Sequence, residues 1–271
     1  MKLDYSIGNI IPYINWSYFF HAWGISGMPQ QDKGRLKTEA EERLRACADH
    51  YQTHAVFRLF DANSDGDDIV MAGVENVRIP LLRQQQHGTD RLCLADFVSP
   101  IPNTSKVGVF ATAVDVGLET DFGQDPYDKM MMQLLADRLA EATAERLHEE
   151  VRRCYWGYAS DERLTIAEML QERFQGIRPA VGYPSLPDAS LNFVLNQLID
   201  FSQIDIRLAE SGAMKPHASV SGLMLNHAEA RYFTVGQIGE DQLADYARRR
   251  GQSVELMRKF LEGNLWQQKH C

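Results

Sequence analysis

The stretch from Pro126 to Tyr155 restricts this chain most. Met130, Leu134, Leu135, Leu139, Ala142, Leu147 and Val151 recur at steps of three and four, which lines one side of a long helix with apolar side chains. Pro126 suits its first turn. The stripe is core. Asp137, Glu141, Glu145 and Glu149 fall at four-residue steps on one face of the same helix, and by spacing alone that face is solvated. Upstream, Val107–Val116 alternates and is β-branched, which predicts a central strand, and His54–Phe60 reads as a buried one. These strand–strand–helix runs depart from the strict β–α alternation of a doubly wound sheet.

The remaining segments follow in order. Residues 10–27, rich in Trp, Tyr and Phe, predict a helix that anchors a core, and residues 35–50 predict a charged helix. Asp61–Asp67 matches the first half of an EF-hand calcium loop, including its glycine, Gly66. The twelfth position is Ala72 rather than Glu, and Ile69–Met71 has strand character, so a strand–turn–strand is expected there. Glu75–Gln86 reads as a short strand into a turn, Leu92–Val98 as a strand ended by Pro100 and Pro102, and Asp161–Phe174 as a further helix. Another helix opens near Pro187, with Asp188 as its N-cap. Ser211, Ser219 and Ser221 suit close backbone packing beneath a ligand, and Arg231–Gln237 reads as a strand. Two short helices with a basic patch at Arg248–Arg250 complete the core, and 263–271 reads as an unstructured tail. No repeat or linker marks a boundary, which predicts a single domain over 1–271 with its core at about 10–262.

The chemistry concentrates in Gly176–Pro184. Arg178 offers a rigid fork of donors suited to a carboxylate. Pro179 and Pro184 stiffen the backbone, Gly182 allows close approach, and Tyr183 presents a flat ring. This is either a Pro/Gly turn between helices or an ordered loop built for a small zwitterion. A formal charge of −9 without a basic stripe argues against nucleic-acid and anionic-membrane partners. No apolar run reaches a membrane span. Cys47, Cys93, Cys154 and Cys271 lack metal-type or framework spacing, which fits a reducing cytoplasm. No nucleophile–base pair, metal cluster or phosphate-cradling loop is visible.

Arg178, followed after three residues by Gly182-Tyr183, resembles the S-adenosylmethionine (SAM) signature in the activation domain of cobalamin-dependent methionine synthase. Other stretches resemble that domain in the same order: Ile11–Phe20, Val56–Asn63, Leu92–Val98, Ala136–Ala142, Tyr155–Tyr158, Ser219–Gly222 and Asp241–Ala247. The resemblance implies an α/β (α+β) fold, a twisted antiparallel sheet flanked by helices, unlike the Rossmann methyltransferase sheet. It implies SAM binding by Glu39, Arg178, Ala180, Gly182, Tyr183 and Tyr232, with Glu39 taking the ammonium and Arg178 the carboxylate. It further implies contact between Glu119, Asp137 and Glu141 and a cobalamin-binding domain, where acidic groups hold the histidine that leaves the cobalt.

The implied function is reductive reactivation. SAM is the methyl donor and a flavodoxin-like protein the electron donor, and cob(II)alamin held by a partner chain or domain returns to methylcobalamin. No catalytic acid, base or resident metal is expected, because methyl transfer to a strongly nucleophilic reduced cobalt requires approach and alignment. The relatives carry a His and a Lys after the proline matching Pro187, where this chain has Ala189 and Asn192. A SAM-sensing or corrinoid-docking module without methyl transfer, and a reactivator of another corrinoid methyltransferase, remain as alternatives. In most relatives this domain ends a much longer enzyme, so a chain of this length implies either a split enzyme acting in trans or a fragment.

Overall fold

The computed structural model describes residues 1–73 and 77–266. Its centre is a curled antiparallel sheet built on β2 (Gln52–Asp65), a strand long enough to serve two sets of neighbours. β1 (Lys2–Ser6) pairs with the first half of β2, and β3 (Asp68–Met71) and then β4 (Arg78–Pro80) extend the sheet from its second half. On the other side β5 (Ser105–Val114) runs beside β2 from Thr53↔Val114 to Ala62↔Ser105. A small separate hairpin joins β6 (Arg207–Leu208) to β7 (Met214–Lys215), and β8 (Ser219–Met224) lies on the outer side of β5. The twisted antiparallel sheet flanked by helices is as the sequence implied.

Both faces of the sheet are covered, so β5 is buried almost without interruption rather than at alternate positions. On one face the chain lays α1 (Ile7–Ile10), α2 (Trp16–Ala22), α3 (Gln30–Cys47), the short α4 (Gly117–Thr120) and the long α5 (Pro126–Glu150). Asp125 caps α5 through the Tyr127 amide at 2.9 Å, and a π-helical turn carries the helix on to Tyr155. Leu135, Leu139, Leu147 and Val151 are buried as the spacing required, against Phe57 and Phe110 of the sheet. Each contributes roughly 1.5–3 kcal/mol when fully buried. Met130 is 47% exposed, and Met131 and Met132 take its place in the core. Small Ala136, Ala140 and Ala144 let the helix approach closely, and the Thr112 hydroxyl donates to the Ala140 carbonyl at 3.0 Å.

The opposite face packs against α7 (Leu191–Ile199), through Leu191, Leu195 and Leu198 onto Val107, Val109 and Leu223. Between the long helix and α7 the chain forms only one short helix, α6 (Ile166–Met169), because a Thr165–Glu168 capping box starts it and the backbone turns at Glu172 (φ 58°). The longer helix expected at 161–174 is therefore absent. α8 (Glu240–Arg250) and α9 (Val254–Phe260) form a third cluster around Leu243 and Tyr246.

Other local expectations change for physical reasons. Asp61–Asp67 is the β2–β3 hairpin turned at Gly66 (φ 61°), and its carboxylates face cations: Asp61 meets Lys106, Asp65 meets Arg78, and Asp67 meets Arg83. Leu92–Val98 is a bridge at Cys93 and a 3-10 turn rather than a strand, because Asp96 folds back to accept from the Cys93 amide at 2.8 Å. Of Glu75–Gln86, residues 75 and 76 lie outside the described residues, and β4 supplies the strand. The Arg248–Arg250 patch is largely internal: Arg249 bonds Asp245, Asp68 and the Leu81 carbonyl, and Arg250 donates to Ser190. Asp188 accepts from the Ser190 amide, and its other oxygen accepts from the Tyr246 hydroxyl at 2.7 Å. Of the tail expected over 263–271, residues 263–266 are instead held against the fold. Trp266 donates to the Ile238 carbonyl at 3.2 Å, and residues 267–271 lie outside the described residues.

Candidate functional site

The segment Ile177–Val181 lies along the outer edge of β8 as an irregular extra strand. Ile177 and Leu225 exchange backbone bonds at 2.9 and 3.0 Å, Leu223 donates to the Pro179 carbonyl at 3.0 Å, and Val181 donates to Ser221 at 2.9 Å. Gly222 permits this. A Cβ there would stand 2.2 Å from the Pro179 oxygen and 2.9 Å from the Ala180 Cα. Gly182 follows in a left-handed conformation (φ 88°) that favours glycine, and its amide donates to Leu186 at 2.8 Å, which closes the loop around Tyr183.

This edge, α5 and the 169–172 turn enclose a cleft of about 500 Å³. Arg178 forms its buried wall. The guanidinium is 7% exposed, donates from Nη2 to Glu145 Oε1 at 2.6 Å, and lies over the Phe110 ring at 5.6 Å. Burial works against its charge, yet the facing carboxylates, Glu145 foremost, hold it above the ordinary guanidinium range. The Arg178 amide donates to the Tyr232 hydroxyl at 2.9 Å. Burial pushes the Tyr232 phenol up to about 12, although the Arg178 charge opposes the shift. The Tyr183 hydroxyl donates to Glu141, and burial followed by that carboxylate pushes the Tyr183 phenol upward, so both rings keep their protons.

Of the residues expected from the resemblance to bind SAM, Arg178, Ala180, Tyr183 and Tyr232 all line this one cleft, and Gly182 sets the turn between Ala180 and Tyr183. Tyr232 does so from extended chain rather than from the expected strand. Residues 231–237 bind the loop through the Val235 amide on the Pro184 carbonyl at 2.8 Å and have no ladder partner among the described residues. Glu39 lies elsewhere on α3, held by Arg43 at 3.0 Å and by the Tyr127 hydroxyl at 3.0 Å. The expected docking residues divide. Glu119 and Asp137 meet at one turn: Glu119 accepts from the His217 and Ala218 amides, and Asp137 faces His217 Nδ1 at 3.1 Å. Glu141, expected with them, is in the cleft.

Sequence reasoning missed Asn15, Arg138, Glu145 and Glu172 as cleft residues. Glu145 was the legible one. It stands one helical turn beyond Glu141, and a buried Arg178 requires a counter-charge. Partial burial and neighbouring Glu145 push the Glu172 carboxyl upward. Asn192, one of the departures after Pro187, is buried. It donates to the Gly212 carbonyl at 2.8 Å and accepts from the Ser221 hydroxyl, so it ties α7 to β8.

Comparison with known proteins places these features. Residues 6–251 match the family described as vitamin B12 dependent methionine synthase, activation domain. A crystal structure of the MetH reactivation domain bound to AdoHcy superposes with a TM-score of 0.91 at 35% sequence identity, over 99% of this chain and 90% of that one. With the paired signature edge, the curled sheet and the near-complete match agreeing, the chain belongs to the activation-domain family of cobalamin-dependent methionine synthase.

Proposed function

We propose that this chain binds SAM in the Arg178 cleft and presents its methyl group to a corrinoid held by a cobalamin-binding partner domain or chain, as the methyltransferase component that reactivates an oxidised methionine synthase. One observation carries the reading: a buried arginine, fixed by a paired backbone edge, walls a cleft that also offers two protonated tyrosines and acidic groups. The volume lies within the range of about 300–1,000 Å³ typical of small-molecule sites. The similar MetH domain is bound to AdoHcy, and that supports the same class of ligand here.

SAM supplies an activated methyl group, and the partner's reduced corrinoid supplies the nucleophile. The chain's own residues bind and orient. Arg178 holds the ligand carboxylate by charge-assisted hydrogen bonding, and the backbone at Ala180 and the turn at Gly182 set the depth of the cleft. The Tyr183 and Tyr232 rings bound the remaining faces, and Glu141 steadies Tyr183. Glu119 and Asp137, gathered at the His217 turn, form the docking corner for the cobalamin-binding partner. A flavodoxin-like protein supplies the electron. We assign residues 1–271 to a single domain and place it in the cytoplasm, which accords with free thiols at Cys47, Cys93 and Cys154. Among the described residues no helix is long and apolar enough to cross a membrane.

Calorimetric titration with SAM tests the reading, with Arg178→Ala alongside and thermal melting as the folding control. A charge-assisted contact is worth roughly 1.5–3 kcal/mol, so a folded variant should bind more than tenfold more weakly. Wild-type protein that binds no SAM refutes the proposal.

A further inference from the structure

A second cavity, of about 280 Å³, opens where α5 runs into its π-helical turn, and Arg146, Glu149, Glu150, Arg153, Cys154 and Tyr155 line it. It shares no lining residue with the Arg178 cleft. Two guanidiniums flank a single carboxylate here: Arg153 Nη1 donates to Glu149 Oε1 at 2.8 Å, and Arg146 Nη1 stands 3.8 Å from Glu149 Oε2. The acidic groups are fully engaged. Glu149 also accepts from the Tyr13 hydroxyl, and Glu150 accepts from the Tyr5 hydroxyl at 2.7 Å and from Arg146 Nε at 2.8 Å. Burial works against the Glu149 charge, yet Tyr13, Arg153 and Arg146 hold its carboxyl below the usual range. The guanidiniums keep donors to spare. Arg146 gives one further bond, from Nη1 to the Tyr13 hydroxyl at 2.7 Å. Among the described residues, Arg153 Nε is buried with no partner, and neither Nη2 makes a hydrogen bond.

Unused guanidinium N–H groups favour an acceptor that meets them in their own plane. The two arginines and two glutamates of the cavity cancel in charge, so nothing there offsets a second negative charge on a ligand. A singly charged, planar carboxylate therefore fits better than phosphate or sulfate. Tyr155, 39% exposed and backed by the Phe57 ring at 5.0 Å between centroids, offers a flat apolar surface beside the cations. We propose that this cavity binds a small monocarboxylate with an apolar or aromatic body, its carboxylate on Arg146 and Arg153 and its body against Tyr155.

Cys154 reports occupancy, because its thiol is exposed at the cavity wall whereas Cys47 and Cys93 are buried. Iodoacetamide alkylation of the full chain, read at Cys154 by peptide mass spectrometry, is followed against benzoate, acetate, benzamide and inorganic phosphate. An acetylated, amidated peptide with one glutamate stands for a carboxylate supplied by a protein. Benzoate should protect Cys154 saturably, acetate more weakly, and benzamide and phosphate not at all. Arg153→Gln should raise the half-protecting benzoate concentration by about tenfold or more. Arg153→Lys, which keeps the charge but loses the fork, should raise it by less, with thermal melting as the folding control for both. Absence of saturable protection by benzoate, equal protection by benzamide or phosphate, or unchanged protection in a folded Arg153→Gln variant overturns the site. Protection by the peptide at lower concentration than by benzoate overturns a free ligand as the occupant and gives the cavity to a partner's carboxylate.

Discussion

Gly222→Ala pits backbone propensity against tertiary contact. Glycine in a strand is ordinarily a liability, and alanine in its place is expected to stabilise by roughly 0.5–1 kcal/mol. Here the added methyl would stand 2.2 Å from the Pro179 carbonyl oxygen, 2.9 Å from the Ala180 Cα and 3.0 Å from a Phe110 ring carbon. Two of these are backbone atoms of the signature edge and cannot turn aside. Relief requires that edge to lift from β8, which endangers the Leu223–Pro179 and Val181–Ser221 bonds at 3.0 and 2.9 Å. Each such bond is worth about 0.5–1.5 kcal/mol, and overpacking adds about 1–3 kcal/mol. The expected net effect is a destabilisation of about 2–4 kcal/mol in urea unfolding, with SAM affinity reduced at least tenfold because Arg178 moves with the edge. A variant as stable as wild type, with unchanged affinity, would refute the argument that β8 and the signature segment pair this closely.

Further outcomes are expected. Arg152 (1% side-chain exposure) pairs with Glu162 at 2.6 Å and lies 4.2 Å above the Phe174 ring. Arg152→Ala should cost about 3–5 kcal/mol in denaturant unfolding, with partial recovery when Glu162→Gln is added. His148 is fully buried, and burial, then Arg152 and Arg178, hold its imidazole well below the usual 6.5. The unfolded chain alone takes up this proton, so stability should decline as pH falls below about 6.5. His148→Leu should flatten that slope by up to about 1.4 kcal/mol per pH unit. Burial raises the Tyr5, Tyr158, Tyr183, Tyr232 and Tyr246 phenols above their usual 10. Their contribution is complete below pH 10 and is lost as pH rises beyond it, which spectroscopic titration of tyrosinate against unfolding should detect as a single event.

Much of the fold was legible because its signals are local and periodic. The stripe on α5, the run of β5 and the Asp61–Asp67 turn each carry a spacing that few other structures satisfy, and Arg178, Gly182 and Tyr183 lie within six residues of one another. The errors came where a nearby side chain or a distant backbone decides the geometry. Asp96 folds Leu92–Val98 into a turn, and Pro184 holds 231–237 as a strap rather than a strand. The acidic face of α5 shows the difference most clearly. Sequence placed Asp137, Glu141, Glu145 and Glu149 on one side, and no spacing rule could say which of them faces solvent, ligand or core. Tertiary packing sends Asp137 to His217, Glu141 to Tyr183, Glu145 to Arg178 and Glu149 to the Tyr13 hydroxyl at 2.5 Å. Periodicity fixes which way a side chain leaves its helix, whereas its charge partner comes from whatever the rest of the chain folds against it. The sequence thus determined the family, the sheet and the signature loop. Only the tertiary structure decided that Glu145 rather than Glu39 stands beside Arg178, because the counter-ion of a buried charge is chosen by proximity in space.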